Sequence, residues 1–345
     1  MKVLYAIQGT GNGHLSRATA IIPVLKKYCE LDVLVSGTQA DISIDYPVKY
    51  KLHGLSFYFG KKGGIDVWET FSKASLIRLK QEFNSVPVDH YDLVINDFEP
   101  VSAWACQFKE VPCISLSHQS ALLEPNVPLP AEKDLVGSFV LRNYAPAHDY
   151  IGFHFKRYTE RIYTPVIRND IRRAIPDDHG HYTVYLPAYD DFFLASILSL
   201  DNAIRWEIFS KSGNETDYNS HIKIRPVNAD HFAQSMLHSS GVLCGAGFET
   251  PAEALFLGKK LMVVPMKGQY EQHCNAAALA EMGVSALNEI NTRSIDKIIE
   301  FTQSSQNDRL EYPDQLEEIV GHVMHMHSSI NINENSSLTK RVLKY

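Results

Sequence analysis

Short runs of consecutive apolar residues, each soon followed by glycine, serine or an acidic residue, alternate with stretches whose apolar positions recur every three to four residues. Val3–Ile7, Leu31–Val35, Leu93–Ile95 and Pro112–Leu116 read as strands. Between the first two, Leu15, Ala18, Ile21, Ile22 and Leu25 share one helical face. Pro23 lies inside that helix, and an interior proline costs about 3 kcal/mol, so a kink or an early break is expected there. The rhythm weakens from Asn143 to Asp178, where aromatic, charged and proline residues mix. It then resumes with strands at His181–Leu186, Arg205–Ser210, Ile222–Pro226, Gly241–Cys244 and Leu261–Val264, and a helix at Asp190–Leu200. This alternation predicts an α/β fold of two doubly wound, Rossmann-like domains facing a cleft. The expected boundaries are 1–150 for the first domain, 151–180 for a linker and 181–327 for the second domain. The polar tail 328–345 either docks back on the first domain or stays loose.

Composition narrows the picture. The chain of 345 residues suits two domains, and 45 % hydrophobic with 21 % charged residues is an ordinary globular balance. A net charge of -7 argues against broad nucleic-acid binding. No apolar run approaches the roughly 18–20 residues of a membrane span, and the opening MKVLYAIQGTGNGH reads as a strand and loop, not a secretory signal. Five scattered cysteines fit reduced thiols and a cytoplasmic location. His179, His181, His322, His325 and His327 lack nearby cysteine or carboxylate partners at ligand spacing, so no metal site is expected. Aromatic and basic residues interleave from Phe57 to Lys80, which suits either peripheral contact with the inner face of the cell membrane or a core beneath a basic face.

Two loops carry candidate chemistry. After the first strand comes Gly9-Thr10-Gly11-Asn12-Gly13-His14, leading into a helix. Glycines allow tight turns and close backbone approach, and a helix N-terminus favours negative charge. A nicotinamide fold is disfavoured, because His14 stands where the third glycine belongs and Ser36-Gly37 where the ribose-binding acid belongs. His14 either packs against the helix start or acts as a general base toward an acceptor hydroxyl, and Arg17 is an acceptor or phosphate contact. The second loop, Gly245-Ala246-Gly247, leads to Thr250, Pro251 and Glu253, which spell a capping box with proline at the first helical position. The same geometry could offer N–H groups to a diphosphate and a carboxylate to ribose hydroxyls. Gln269, Gln272 and Asn275 follow, and amides suit sugar hydroxyls. Asp97 and His118, each after a strand, are further candidates for base or acceptor contact, with ordinary hydrogen bonding as the alternative.

Both motifs, their order and their separation resemble GT-B glycosyltransferases, most nearly the family 28 group that includes the peptidoglycan N-acetylglucosaminyltransferase. The likeness is motif-specific at residues 7–17 and 242–276. It implies an N-terminal acceptor domain and a C-terminal nucleotide-sugar domain. By resemblance, Glu253 binds the donor ribose, Gln272 and Asn275 contact the donor sugar, and Ala246, Gly247, Phe248, Glu249 and Thr250 lie at the diphosphate. Val227, in Arg225-Pro226-Val227, contacts the base through its backbone. Gly11, Gly13, Arg17 and His118 then belong to the acceptor side, with His14 as first and Asp97 as second candidate base. Two departures stand out: Leu186-Pro187-Ala188-Tyr189-Asp190 lacks the family's second glycine loop, and Phe248-Glu249 replaces small apolar residues. The expected activity is metal-independent sugar transfer from a nucleotide-diphosphate sugar, uridine-linked, to a glycan or lipid-linked hydroxyl acceptor of the cell envelope, without a cofactor. A nucleotide-sugar 2-epimerase and a non-catalytic nucleotide-sugar-binding protein are the alternatives.

Overall fold

Each apolar run becomes a strand whose ends shift by at most two residues. A computed structural model describes residues 1–37, 44–54, 81–132, 134–211, 215–305 and 308–330. The first sheet holds β1 (Lys2–Gln8), β2 (Glu30–Ser36), β3 (Val48–Leu52), β4 (Leu93–Asp97), β5 (Cys113–Ser117), β6 (Asp149–Phe153) and β7 (Ile162–Tyr163). All are parallel, in the order β3-β2-β1-β4-β5-β6-β7. The second holds β8 (His181–Tyr185), β9 (Arg205–Ser210), β10 (Thr216–Asp217), β11 (Ile222–Pro226), β12 (Gly241–Gly245), β13 (Lys260–Val264) and β14 (Ser285–Ala286). Its order is β10-β11-β9-β8-β12-β13-β14, and only the edge pair β10 and β11 is antiparallel. The helices are α1 (Asn12–Leu25), α2 (Pro100–Lys109), α3 (His118–Ala121), α4 (Leu135–Asn143), α5 (Asn169–Arg173), α6 (Asp191–Leu198), α7 (Ala229–His238), α8 (Glu249–Phe256), α9 (Tyr270–Glu281), α10 (Ile295–Gln303) and α11 (Leu316–Ser329).

Strand order reverses between β1 and β4 in the first sheet and between β8 and β12 in the second. Open α/β sheets bind ligands outside the carboxyl ends of their strands at such reversals. The loops that follow β1, β4, β8 and β12 therefore stand at the two ligand-binding edges.

Three expectations change. Residues 151–180 are not a free linker: β6 and β7 complete the first sheet there, and Ile151, Phe153 and Tyr163 join its apolar core. The last helix does not belong to the second domain alone. Ile319, Val320, Val323 and Met326 of α11 bury their side chains in the cluster that contains α1, and α11 packs on α1. Lys27 and Tyr28 also reach Glu317. Finally, α1 does not break at Pro23. The proline is exposed in its last turn, and the helix ends at Leu25 with Lys26 as C-cap.

The basic aromatic segment Phe57–Lys80 and the tail from residue 331 lie outside the described residues. Among the described residues no helix is long and apolar enough to cross a membrane.

Candidate functional site

At the first reversal, the turn after β4 is fixed by its own side chains. Asn96 accepts from the Glu99 N–H at 3.0 Å and donates to the Glu99 carbonyl and the Ser102 hydroxyl at 2.7 and 3.0 Å. The Glu99 carboxylate caps α2 by accepting from the Val101 and Ser102 N–H groups, and also takes the Ser36 hydroxyl. Phe98 between them adopts φ of 54°, a left-handed conformation that costs a non-glycine residue about 1–2 kcal/mol. The turn aims Asp97, fully buried, at α1.

His14, on the first turn of α1, donates through Nδ1 to Asp97 Oδ1 at 2.8 Å. Arg17, one turn on and 2 % exposed, grips both Asp97 oxygens, with Nη2 at 2.7 and 2.9 Å and Nε at 3.2 Å. Burial raises the Asp97 pKa, but the Arg17 and His14 charges and hydrogen bonds more than offset it, so the carboxylate is held below its usual range. Burial pulls His14 down, and the Asp97 charge and hydrogen bond overcome that, leaving the imidazole above its ordinary value. With Nδ1 committed to Asp97, Nε2 is the nitrogen left to take a proton. It faces the Gln119 amide nitrogen at 3.4 Å, and that nitrogen donates to Glu271 Oε2 at 2.9 Å. Gln119 Oε1 is buried without a partner among the described residues.

Several expected contact residues are already paired. Both Asp97 oxygens are taken by Arg17, Oδ1 also meets His14, and the residue is fully buried. Arg17 is not free for an acceptor, since its remaining nitrogen, Nη1, binds Glu249 at the start of α8. His118 is also closed off. It is 1 % exposed, with Nδ1 against the Phe153 carbonyl at 2.8 Å, Nε2 against Asn275 Oδ1 at 2.7 Å and its ring stacked on Phe248 at 3.9 Å. Asn275 in turn donates to the Ala246 carbonyl at 3.0 Å and is fully buried. Phe248 and Glu249, the departures from the family pattern, are thus among the residues that meet the first domain.

The capping box is not formed either. Helix α8 starts at Glu249 with Phe248 as N-cap and no side-chain cap, which puts Pro251 third in the helix. Both Glu253 oxygens are taken by Arg168, at 2.7 and 3.0 Å. Burial raises Glu253 and the Arg168 charge only partly offsets it. Spacing could not reveal this partner, because Arg168 lies 85 residues away.

At the second reversal a cavity of about 230 Å³ opens at the carboxyl ends of β8, β12 and β13. Leu186 and Tyr189 form one wall, Gly245, Gly247 and Thr250 another, and Gln272 of α9 a third. The loop after β8, without glycine, lines it with Leu186, Pro187, Ala188 and Tyr189. Gln272 is held by accepting from the Met266 N–H at 2.9 Å and donating to Gln269 at 2.6 Å. Val227 follows β11 and its N–H is already bonded to the Ser210 carbonyl at 2.7 Å. Of the expected donor residues, Gly247, Thr250 and Gln272 meet at the cavity, whereas Val227, Ala246, Phe248, Glu249, Glu253 and Asn275 are not among its lining. Gly11 opens α1 as its N-cap, and a Cβ there would meet nothing within 4 Å. At Gly13 a Cβ would collide with the Glu249 carboxylate, so this glycine permits the approach of α8 to α1.

Comparison with known proteins agrees with this layout. A sequence profile described as glycosyl transferase family 1 matches residues 1–303. Among solved structures, MurG of Acinetobacter baumannii is similar with 14 % identity and a TM-score of 0.53, over 95 % of this chain and 98 % of that one. Arabidopsis thaliana UGT89C1, solved with UDP, gives 14 % identity and a TM-score of 0.55 over 99 % and 97 %. The glycosyltransferase SnogD from Streptomyces nogalater gives 13 % and 0.52 over 94 % and 99 %. Among curated proteins none matches. The structural likeness identifies the fold as GT-B, two facing α/β domains.

Proposed function

The chain belongs to glycosyl transferase family 1, and on that premise we propose that it moves a sugar from a uridine diphosphate sugar to a hydroxyl acceptor. The observation that carries the reading is the path from cavity to base. Gln272 lines the cavity, its neighbour Glu271 holds Gln119, and Gln119 rests on the free nitrogen of His14. An acceptor hydroxyl entering between Gln119 and His14 would donate its proton to Nε2, while the Gln119 amide steadies the oxygen. The oxygen then attacks the anomeric carbon of a donor whose diphosphate rests by Gly247 and Thr250, at the start of α8. Asp97 keeps the imidazole in the tautomer that exposes Nε2 and stabilises the imidazolium that forms. The leaving diphosphate is stabilised by backbone N–H groups and the helix dipole, without a metal.

Glu253 can take ribose hydroxyls only by exchanging Arg168, so ribose binding would be coupled to movement of the segment that opens α5. The acceptor is read as a glycan or lipid-linked hydroxyl of the cell envelope, and the site of action as the cytoplasm or the membrane's inner face.

Calorimetry with a panel of nucleotides and nucleotide sugars tests the donor site. Uridine diphosphate sugars are expected to bind, with Thr250→Val and Gln272→Ala each weakening binding about tenfold, the equivalent of one lost hydrogen bond of about 1.4 kcal/mol. Absence of binding by every nucleotide sugar would sink the reading. Release of free sugar at the same rate with and without acceptors would favour the epimerase instead.

A further inference from the structure

The second sheet carries a side-chain cluster at the end opposite the cavity. Asp177 and His179 precede β8, and His238 closes α7 ahead of β12. Because β8 and β12 pair directly, with Tyr182 beside Gly241, these segments meet at the amino ends of the two strands. The cavity lies at the carboxyl ends.

Asp177 Oδ2 faces His179 Nε2 at 3.1 Å, and its Oδ1 meets His238 Nδ1. The two imidazoles stack at 4.7 Å with 6° between their planes. One ligand atom from each of the three residues lies within 4.8 Å of the others, and the group is open to solvent. His238 Nε2 faces the Gln234 Oε1 at 3.3 Å, and a neutral ring donating there turns its other nitrogen, as an acceptor, toward Asp177. The Nδ1 lone pair then points at a carboxylate oxygen, an arrangement that needs a proton or a cation between them. A metal-bound histidine commonly donates its other N–H to an oxygen in this way.

The backbone is fixed before any ligand arrives. The Asp177 N–H donates to the Leu237 carbonyl at 3.3 Å, the His179 N–H to the His238 carbonyl at 2.8 Å and the Ser240 N–H to the His181 carbonyl at 2.7 Å. The buried Lys259 ammonium ties the Asp177 and Ser239 carbonyls. Asp178, beside the cluster, accepts from the Gly180 N–H and the Ser240 hydroxyl. Lys259, Lys260 and Arg205, which reaches the His179 carbonyl, are cations nearby, set against the charges of Asp177 and Asp178.

We propose that Asp177, His179 and His238 form a binding site for a late first-row divalent cation, zinc foremost. Two imidazoles and one carboxylate suit zinc, whereas calcium and magnesium prefer all-oxygen sets. With three protein ligands the fourth position goes to water. The site would clasp the segment before β8 to the end of α7, away from sugar transfer.

The test uses the full, tag-free, metal-stripped chain titrated with zinc, and with cobalt for its visible absorption. One equivalent is expected to bind. His238→Ala and Asp177→Ala should each weaken zinc at least tenfold and abolish the cobalt bands, and Gln234→Leu should weaken it about tenfold through the lost Nε2 contact. His325→Ala, on α11, should change nothing. Because the replaced ligands are solvent-facing, circular dichroism is expected to match wild type, and His179→Ala supplies a second ligand deletion should one variant misfold. No saturable binding, or zinc affinity unaltered by all three ligand deletions, would overturn the proposal.

Discussion

His14 has one nitrogen in the ion-pair network and one outside it. Nδ1 is bound to a buried aspartate that stays ionised because Arg17 and His14 face it, and Nε2 looks toward Gln119. The imidazole pKa is raised above the ordinary value of about 6.5, since the Asp97 charge and hydrogen bond overcome burial. A base works in its neutral form, so transfer rate is expected to climb with pH through that raised value. His14→Gln should lower turnover by about 10²–10⁴, the usual worth of general base catalysis, while calorimetry still detects donor binding. Unchanged turnover would remove His14 from the chemistry. The residue and its neighbour Arg17 were visible in the sequence as the end of a glycine loop. Their partners were not, because Asp97 lies about 80 residues on and Glu249 more than 230, and a contact closed by folding leaves no spacing signature.

The elements show how the two glycine loops differ from what their motifs imply. Alternation of apolar runs and helical faces identified most of the longer strands, because a buried parallel strand must be apolar on both faces. The short edge strands β7, β10 and β14, two residues each, have too little pattern to be read. Thr250, Pro251 and Glu253 looked like a capping box, but Arg168 offers the glutamate a bidentate partner, which a backbone N–H cannot match. In the first loop Gly11 and Gly13 look alike in sequence and differ in space. Gly13→Ala would drive the Glu249 carboxylate away from α1 and Arg17, a loss of about 1–3 kcal/mol typical of overpacking. Gly11→Ala, with nothing within 4 Å, should cost less than about 1 kcal/mol. Urea denaturation of both variants checks this. In a Glu249→Ala background the penalty at Gly13 should vanish, and its persistence there would refute the proposed clash.

Over the whole molecule, the two sheets are joined by a buried polar and aromatic seam made of His118, His154, Phe155, Phe248 and Asn275. Burial lowers the pKa of His118, with nearby carboxylates opposing it only in part, and burial together with the neighbouring His118 lowers His154 well below the ordinary value. Each therefore binds a proton less readily folded than unfolded, so its contribution to stability falls as pH drops below about 6.5. His14 acts in the opposite sense. Its raised value contributes stability that is complete below about pH 6.5 and lost as pH rises through the folded value. Burial lowers His148 and His181 as well, so with four histidines against one the urea midpoint should be lower at pH 5.5 than at 7.5. His154→Phe should shrink that drop, and an equal drop in the variant would move the acid sensitivity elsewhere.

The sequence by itself determined the fold class, the strand ends that carry the loops, and three of the cavity residues, Gly247, Thr250 and Gln272. These follow from local rules: periodicity selects elements, glycine marks turns, and loops at the carboxyl ends of parallel strands must gather at one edge. Only the tertiary structure decided which polar side chains remain free. Arg17, Asp97, His118, Glu253 and Asn275 all looked available, and each proved to be committed to a partner brought from a distant part of the chain. The reason is energetic. A buried charge or amide must be paired when the domains close, so partners are chosen by proximity in space, about which sequence spacing is silent.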